Sequence, residues 1–237
     1  MRGVLMAMMM ASAPVAAPVG VLAETFQHDY ELSVRGLRVG TMALRADVDT
    51  FDYSATARFE ATGIVGLIAG EGITASVRGA RGGDAGFVPQ AYAQVREGDS
   101  RLDLSYRDGV PVSIVADPPR GADEDPIPTL SRQAGTVDFL TAIVALTLPG
   151  TPEEICNRRF DTFTQTERSR IEGQGVVAGA DGPACDVVFS DVDPETLKVE
   201  DPETFRMDLR QMADGRYEMI ALSGRGEVGP ARLERVN

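Results

Sequence analysis

The sequence predicts a mainly β protein: a strongly curved antiparallel sheet, an incomplete barrel or β-spiral, wrapped against one short apolar helix. Three observations carry that expectation. Apolar and polar residues alternate with a period of two along most of the chain after Glu24, the mark of strands with one buried and one wet face. Turn-forming steps such as Gly82-Gly83, Asp108-Gly109 and Ala213-Asp214-Gly215 divide the alternation into hairpin-sized lengths. One stretch, Val137 to Leu146, drops the alternation and is apolar on almost every side, so as a helix it needs cover nearly all round.

Taken in order, Tyr30, Leu32 and Val34 point one way and Glu31, Ser33 and Arg35 the other, before Gly36-Leu37 turns the chain into Val39, Met42 and Leu44. Phe51, Tyr53, Ala55, Ala57 and Phe59 oppose Asp52, Ser54, Thr56, Arg58 and Glu60 in a long second alternation. Gly72 to Arg81, Phe87 to Arg96 and Arg101 to Tyr106 continue the meander. Residues 116 to 135 break it with Pro118, Pro119, Pro126 and Pro128 among acidic residues, which reads as an exposed loop. Thr136 follows as the expected N-cap, with Asp138 placed favourably for the helix dipole, and the helix stops before Pro149-Gly150. Strands resume at Arg159 to Gln165, Ser169 to Val177, Ala184 to Asp191, Thr204 to Met212, Tyr217 to Ser223 and Arg232 to Val236. The repeated Asp193-Pro194-Glu195-Thr196 and Asp201-Pro202-Glu203-Thr204 supply turns and short helix starts on a solvated edge.

The first 23 residues bear on where the protein works. Arg2, the apolar run from Val4 to Leu22 and the exit Val21-Leu22-Ala23 read as a cleaved secretory signal peptide ending before Glu24. Pro14, Pro18 and Gly20 interrupt that run, which opposes a retained, membrane-spanning anchor. Residues 24–237 then form a single β-rich domain, long enough to bury roughly 70% of its unfolded surface. Cleavage leaves 22 basic against 36 acidic side chains, a formal charge of −14. That balance repels phosphate backbones and excludes nucleic acid as an expected partner. Cys156 and Cys185 are the only cysteines, and in an oxidising compartment they are expected to pair as a structural disulfide.

Catalytic chemistry finds little support. His28 is the only histidine, and no nucleophile elbow or zinc-binding helix accompanies it, so a packing or surface role is expected. Lys198, the only lysine of the mature chain, sits among Glu195, Glu200 and Asp201, which oppose nucleophilic use. Asp191, Asp193 and Glu195 have the alternate spacing of a calcium loop. However, Thr196 stands where glycine is wanted and Pro202 where a bidentate glutamate is wanted. No catalytic residue, metal or cofactor is therefore assigned. Ile64, Val65, Leu67 and Ile68 form an apolar connection between two long strands, either plugging the sheet core or lining the mouth of a lipid-type cavity.

The opening strand Tyr30-Glu31-Leu32, the turn Gly36-Leu37-Arg38-Val39-Gly40, the helix start Val137-Asp138-Phe139-Leu140 and the segment Cys156-x-Arg158-Arg159-Phe160-Asp161 resemble a bacterial family, the domain of unknown function 3108. The resemblance covers roughly residues 28 to 236 and implies an exported, periplasmic envelope protein with a long curved sheet around a helix. Such a sheet is distantly like that of the lipoprotein carrier and its outer-membrane receptor, whose incomplete barrels hold acyl chains; that ligand is an analogy of fold. The first functional expectation is a non-enzymatic envelope protein that binds a lipid-type small molecule in its concave face. Its candidate ligand-binding residues are Ile64, Val65, Leu67 and Ile68 with Phe139, Leu140, Ile143 and Val144 of the helix. The second is an acidic interaction or scaffold module with a fully packed interior, whose 117 to 125 loop docks a basic envelope protein.

Overall fold

The computed structural model describes residues 24–62, 72–83, 86–96, 100–121, 123–226 and 229–236. The first run of strands is β1 (Glu24–Val34), β2 (Leu37–Val48), β3 (Asp52–Ala61), β4 (Ile73–Arg81), β5 (Phe87–Arg96), β6 (Ser100–Arg107) and β7 (Val110–Asp117). Two helices follow, α1 (Phe139–Thr147) and α2 (Pro152–Cys156). The second run is β8 (Arg159–Phe163), β9 (Arg168–Ala178), β10 (Pro183–Val192), β11 (Val199–Gln211), β12 (Tyr217–Gly226) and β13 (Gly229–Arg235). Among the described residues all thirteen strands form one antiparallel sheet, not closed into a barrel, in the order β7-β6-β5-β4-β3-β2-β1-β13-β12-β11-β10-β9-β8.

The period-two pattern becomes two meanders joined at a seam. β1 to β7 step outward as hairpins, the chain crosses over through α1 and α2, and β8 to β13 step back until β13 pairs with β1. That pairing runs from Tyr30 opposite Arg235 to Val34 opposite Ala231. At the β1–β2 turn both Arg35 and Gly36 have positive φ, 51° and 77°, the geometry that suits a right-twisted two-residue hairpin. α1 contacts β3, β4 and β5 of the first run and β8 and β12 of the second, so the sheet curls round it. Ala46, Ala55, Ala57 and Ala75 face inward at the middle of β2–β4 and are buried, leaving depth for a helix where larger residues would fill it.

The helix is built differently from the sequence expectation. Asp138, not Thr136, is its N-cap: the carboxylate accepts the Thr141 N–H at 2.9 Å and the Thr141 hydroxyl at 2.6 Å. Thr136 instead donates its hydroxyl to the Gln133 carbonyl at 2.8 Å, closing the short 3₁₀ turn Leu130–Gln133. Val137 decides the matter. Its N–H donates to the Asp161 carbonyl and its carbonyl accepts from Phe163, so an extended bridge to β8 holds it out of the helix. Nor is α1 covered all round, because Phe139 is 47% exposed while Leu140 and Val144 are fully buried.

The other end of α1 is held by Arg158, whose guanidinium donates to the carbonyls of Ala145, Leu146 and Leu148. Those carbonyls have no partner within the helix, and the half-buried arginine supplies one along with the charge the dipole favours there. Arg158 lies two residues past Cys156, whose disulfide to Cys185 ties α2 to β10. Gly173 lets α2 press against β9: a Cβ there would stand 2.2 Å from the Cys156 carbonyl oxygen. Next along, Asp161 takes Arg168 at 2.6 Å and Arg170 at 2.7 Å. Burial alone would raise the Asp161 carboxyl, but the hydrogen bonds from Arg170 and Arg168 outweigh it and hold it below the ordinary range.

Of the two acidic repeats, the first is a turn, with Asp193 Oδ1 accepting the N–H groups of Glu195 and Thr196. The second is not. Asp201 and Pro202 lie within β11 at a bulge in its pairing with β10, where the missing proline N–H costs no ladder bond.

Removing either half of the disulfide, Cys156→Ser or Cys185→Ser, should lower stability by about 3 kcal/mol, because the bridge spans 29 residues of chain. Denaturant unfolding checks it, and an unchanged midpoint in both variants would refute it. Asp138 gives a pH dependence. Burial, opposed by the Thr141 hydrogen bonds, pushes its carboxyl up to about 6. The folded state thus holds a proton that the unfolded state releases from about pH 4, and this group's contribution to stability falls as pH rises from about 4 to 6. Asp138→Asn keeps the capping oxygen without the charge, so between pH 4 and pH 7 the variant should gain on the order of 3 kcal/mol relative to the parent. A difference that does not change with pH would refute this assignment.

Candidate functional site

Because α1 is only nine residues long, it does not fill the curled sheet. A cavity of about 430 Å³ remains between the helix and the strands around the seam. Its helix wall is Phe139, Ala142, Ile143 and Leu146. Leu32, Met42 and Phe59 come from β1, β2 and β3, and Met219, Leu222 and Leu233 close it from β12 and β13. Ile171 and Phe189 contribute from β9 and β10. Leu222 and Leu233 are directly opposite in the β12–β13 ladder, and Leu233 is opposite Leu32 across the seam, so three leucines line up on one inward row.

The cavity opens to the surface beside Phe139 and Leu32, 47% and 38% exposed. Phe59 stands near Phe139, with ring centroids 6.2 Å apart. The side-chain parity of β3 sends Phe59 inward and Glu60 outward, where Glu60 meets Arg58 at 2.7 Å. The interior is therefore an apolar concavity within the size range of small-molecule sites. It can hold hydrocarbon, and among the described residues no inward-facing charged side chain offers an ionic group a partner.

Of the helix residues expected to meet a ligand, Phe139 and Ile143 line the cavity. Leu140 and Val144 face the opposite way into the packed core. Ile64, Val65, Leu67 and Ile68 lie outside the described residues. The walls from β9 to β13 were not assigned from sequence. Inward parity was legible there, but which inward side chains meet the helix and which meet a void depends on the curl of the sheet.

Groups with catalytic potential lie elsewhere. His28 is 4% exposed, stacked on Phe26 with ring centroids 5.0 Å apart, and neither ring nitrogen has a hydrogen-bond partner among the described residues. Burial, and then the nearby Arg235, push its pKa down, so it is a packed neutral ring. Lys198 is exposed and paired with Glu200 at 2.5 Å. Among the described residues no three His, Cys, Asp or Glu side chains are grouped to hold a metal ion. A larger recess of about 510 Å³ crosses the solvent face of β2 to β6, where Arg101 meets Asp103 at 2.6 Å, Arg45 stands 4.0 Å from Asp47, and Arg78 also lines it. No helix of the described residues is long and apolar enough to cross a membrane.

Comparison with protein-family models, with curated proteins and with solved structures finds no match to this chain.

Proposed function

We propose that this is a non-enzymatic, exported envelope protein that binds the hydrocarbon chain of an apolar or amphiphilic molecule between α1 and the inner face of the sheet. The observation that carries the reading is the open cavity of about 430 Å³ with apolar side chains on every wall. Taking a methylene as close to a water's share of volume, ~30 Å³, such a space accommodates on the order of 14 carbons of one chain. A polar head would stay outside, beside Phe139 and Leu32. Transfer of that chain from water supplies the affinity, at about 0.8 kcal/mol per methylene before the costs of association. The signal-like residues 1–23 fit a protein that meets lipids in the periplasm.

The acidic-scaffold reading is the alternative, favoured by the exposed Asp123, Glu124 and Asp125 and by the charge of −14 after signal cleavage. It requires no ligand, and recovery of a basic envelope partner that survives neutralising these three residues would argue against that loop.

Ile143 separates the readings. In a packed core Ile143→Ala would cost roughly 2–5 kcal/mol, whereas at a cavity wall the surroundings are already partly empty and the cost should be nearer 1 kcal/mol. Ile143→Trp should fill the space and cut binding of a fluorescent acyl probe at least tenfold while leaving the melting temperature within a few degrees. Delipidated parent protein that takes up no acyl probe would end the proposal, whatever the variants do.

A further inference from the structure

A second feature lies at the C-terminal end of α1, against Ala145 and Leu148, which are not cavity residues. Arg81 is the last residue of β4. It has the inward parity of the buried Ala75 and Val77, an unusual place for an arginine. Its guanidinium carbon sits 4.2 Å from the centroid of the Phe87 ring. Its Nη1 is buried and, among the described residues, donates to nothing. Leaving such a donor unmet costs more than most hydrogen bonds contribute, and more for a charged group than for a neutral one.

Arg81 stands where two recesses meet. The inner one, about 300 Å³, is lined also by Phe87, Glu154 and Arg158; the outer, about 560 Å³, also by Glu24, Asp49 and Arg216. The carboxylates there have other work. Glu154 Oε2 accepts the Thr151 N–H at 2.8 Å, Glu24 meets Arg216 at 2.9 Å, and Asp49 Oδ1 accepts the N–H groups of Phe51 and Asp52. Arg216 is held by Glu24 and Asp214. The inner recess thus carries two guanidiniums against one carboxylate. Burial pushes both arginines down, and Arg158, lowered to about 10, is pushed further by the charge of Arg81.

We propose that Arg81 anchors an oxyanion site, in which a carboxylate or phosphate group enters the inner recess, accepts from Arg81 Nη1 and is held by the combined charge of Arg81 and Arg158. This site is separate from the hydrocarbon cavity and stands or falls independently of it. A planar guanidinium braced on an aromatic ring is preorganised for two parallel bonds to such a group.

Thermal melts at fixed ionic strength test it, with chloride, acetate and inorganic phosphate as probes. Phosphate or acetate should raise the melting temperature saturably, by roughly 5–10 °C at a concentration 100-fold above its Kd. The rise should vanish in Arg81→Gln and persist in Ile143→Trp. An equal response to chloride, or an oxyanion response unchanged in Arg81→Gln, overturns the proposal. Asp84 lies outside the described residues, so Asp84→Asn is a necessary arm: stabilisation by phosphate that appears only in that variant makes Asp84 the partner of Arg81 and also overturns it. If Arg81→Gln does not fold, calorimetric titration of the parent and of Asp84→Asn decides. Saturable phosphate binding in the parent supports the site, and no binding in the parent removes it.

Discussion

An apolar helix inside a curled sheet has a problem at both ends, because its first N–H groups and last carbonyls face protein and not water. The structure answers with two charges of opposite sign, one buried and one half-buried. Asp138 takes the N-terminal donors and Arg158 the C-terminal acceptors, each where the helix dipole favours it. Several contacts around the helix hold these two groups. Val137 is pinned to β8 so that Asp138 can cap, and the Cys156–Cys185 bridge fixes the turn from which Arg158 reaches back. Asp161, between Arg168 and Arg170, fastens β8 to β9 and so anchors the strand on which Val137 leans. The segment from Cys156 to Asp161 is accordingly structural at Cys156, Arg158 and Asp161, and Phe160 between them is buried in the core.

Much of the sheet was legible because a strand's parity survives tertiary folding, and the alternation from Tyr53 to Phe59 keeps its faces, whereas Phe51, expected on the same inward face, lies in the turn before β3 and is 76% exposed. The strand ends were not, since hairpin pairing extends a strand until geometry stops it; β11 begins at Val199, five residues before its alternation is evident. The cap was misplaced for a definite reason. Thr136 and Asp138 are both good caps two residues apart, and only the long-range bridge of Val137 selects between them. Turn chemistry misled at Asp201-Pro202, where a bulge absorbs a step that in isolation reads as a chain reversal. The candidate site was half legible: Phe139 and Ile143 could be found on the helix, whereas Met219, Leu222 and Leu233 needed the seam. Arg81 had a signal in the sequence, an arginine in step with Ala75, Val77 and Gly79.

The cavity and the helix ends are linked by size. A nine-residue helix is about 13 Å long, enough to cross the waist of the sheet but not to fill its length. The buried alanines of β2–β4 bring α1 close to that part of the sheet, and the space left over lies between the helix, Met42 and Phe59 and the β12–β13 leucines. The open side is also where β1 meets β13, so residues remote in sequence share the same apolar row.

That seam has a consequence for how the chain comes into being. Of the described strands β1 is the first to emerge and β13 the last, and until residues 229–235 arrive β1 has paired with β2 on one side only. The growing polypeptide thus displays a long bare edge of backbone donors and acceptors, the kind that recruits strands from other molecules. Contacts this distant in sequence also form slowly, since a loop of nearly the whole chain must close first. A molecule so arranged has to be kept apart from its own copies during its synthesis, and its last strand acts as the latch that ends that exposure.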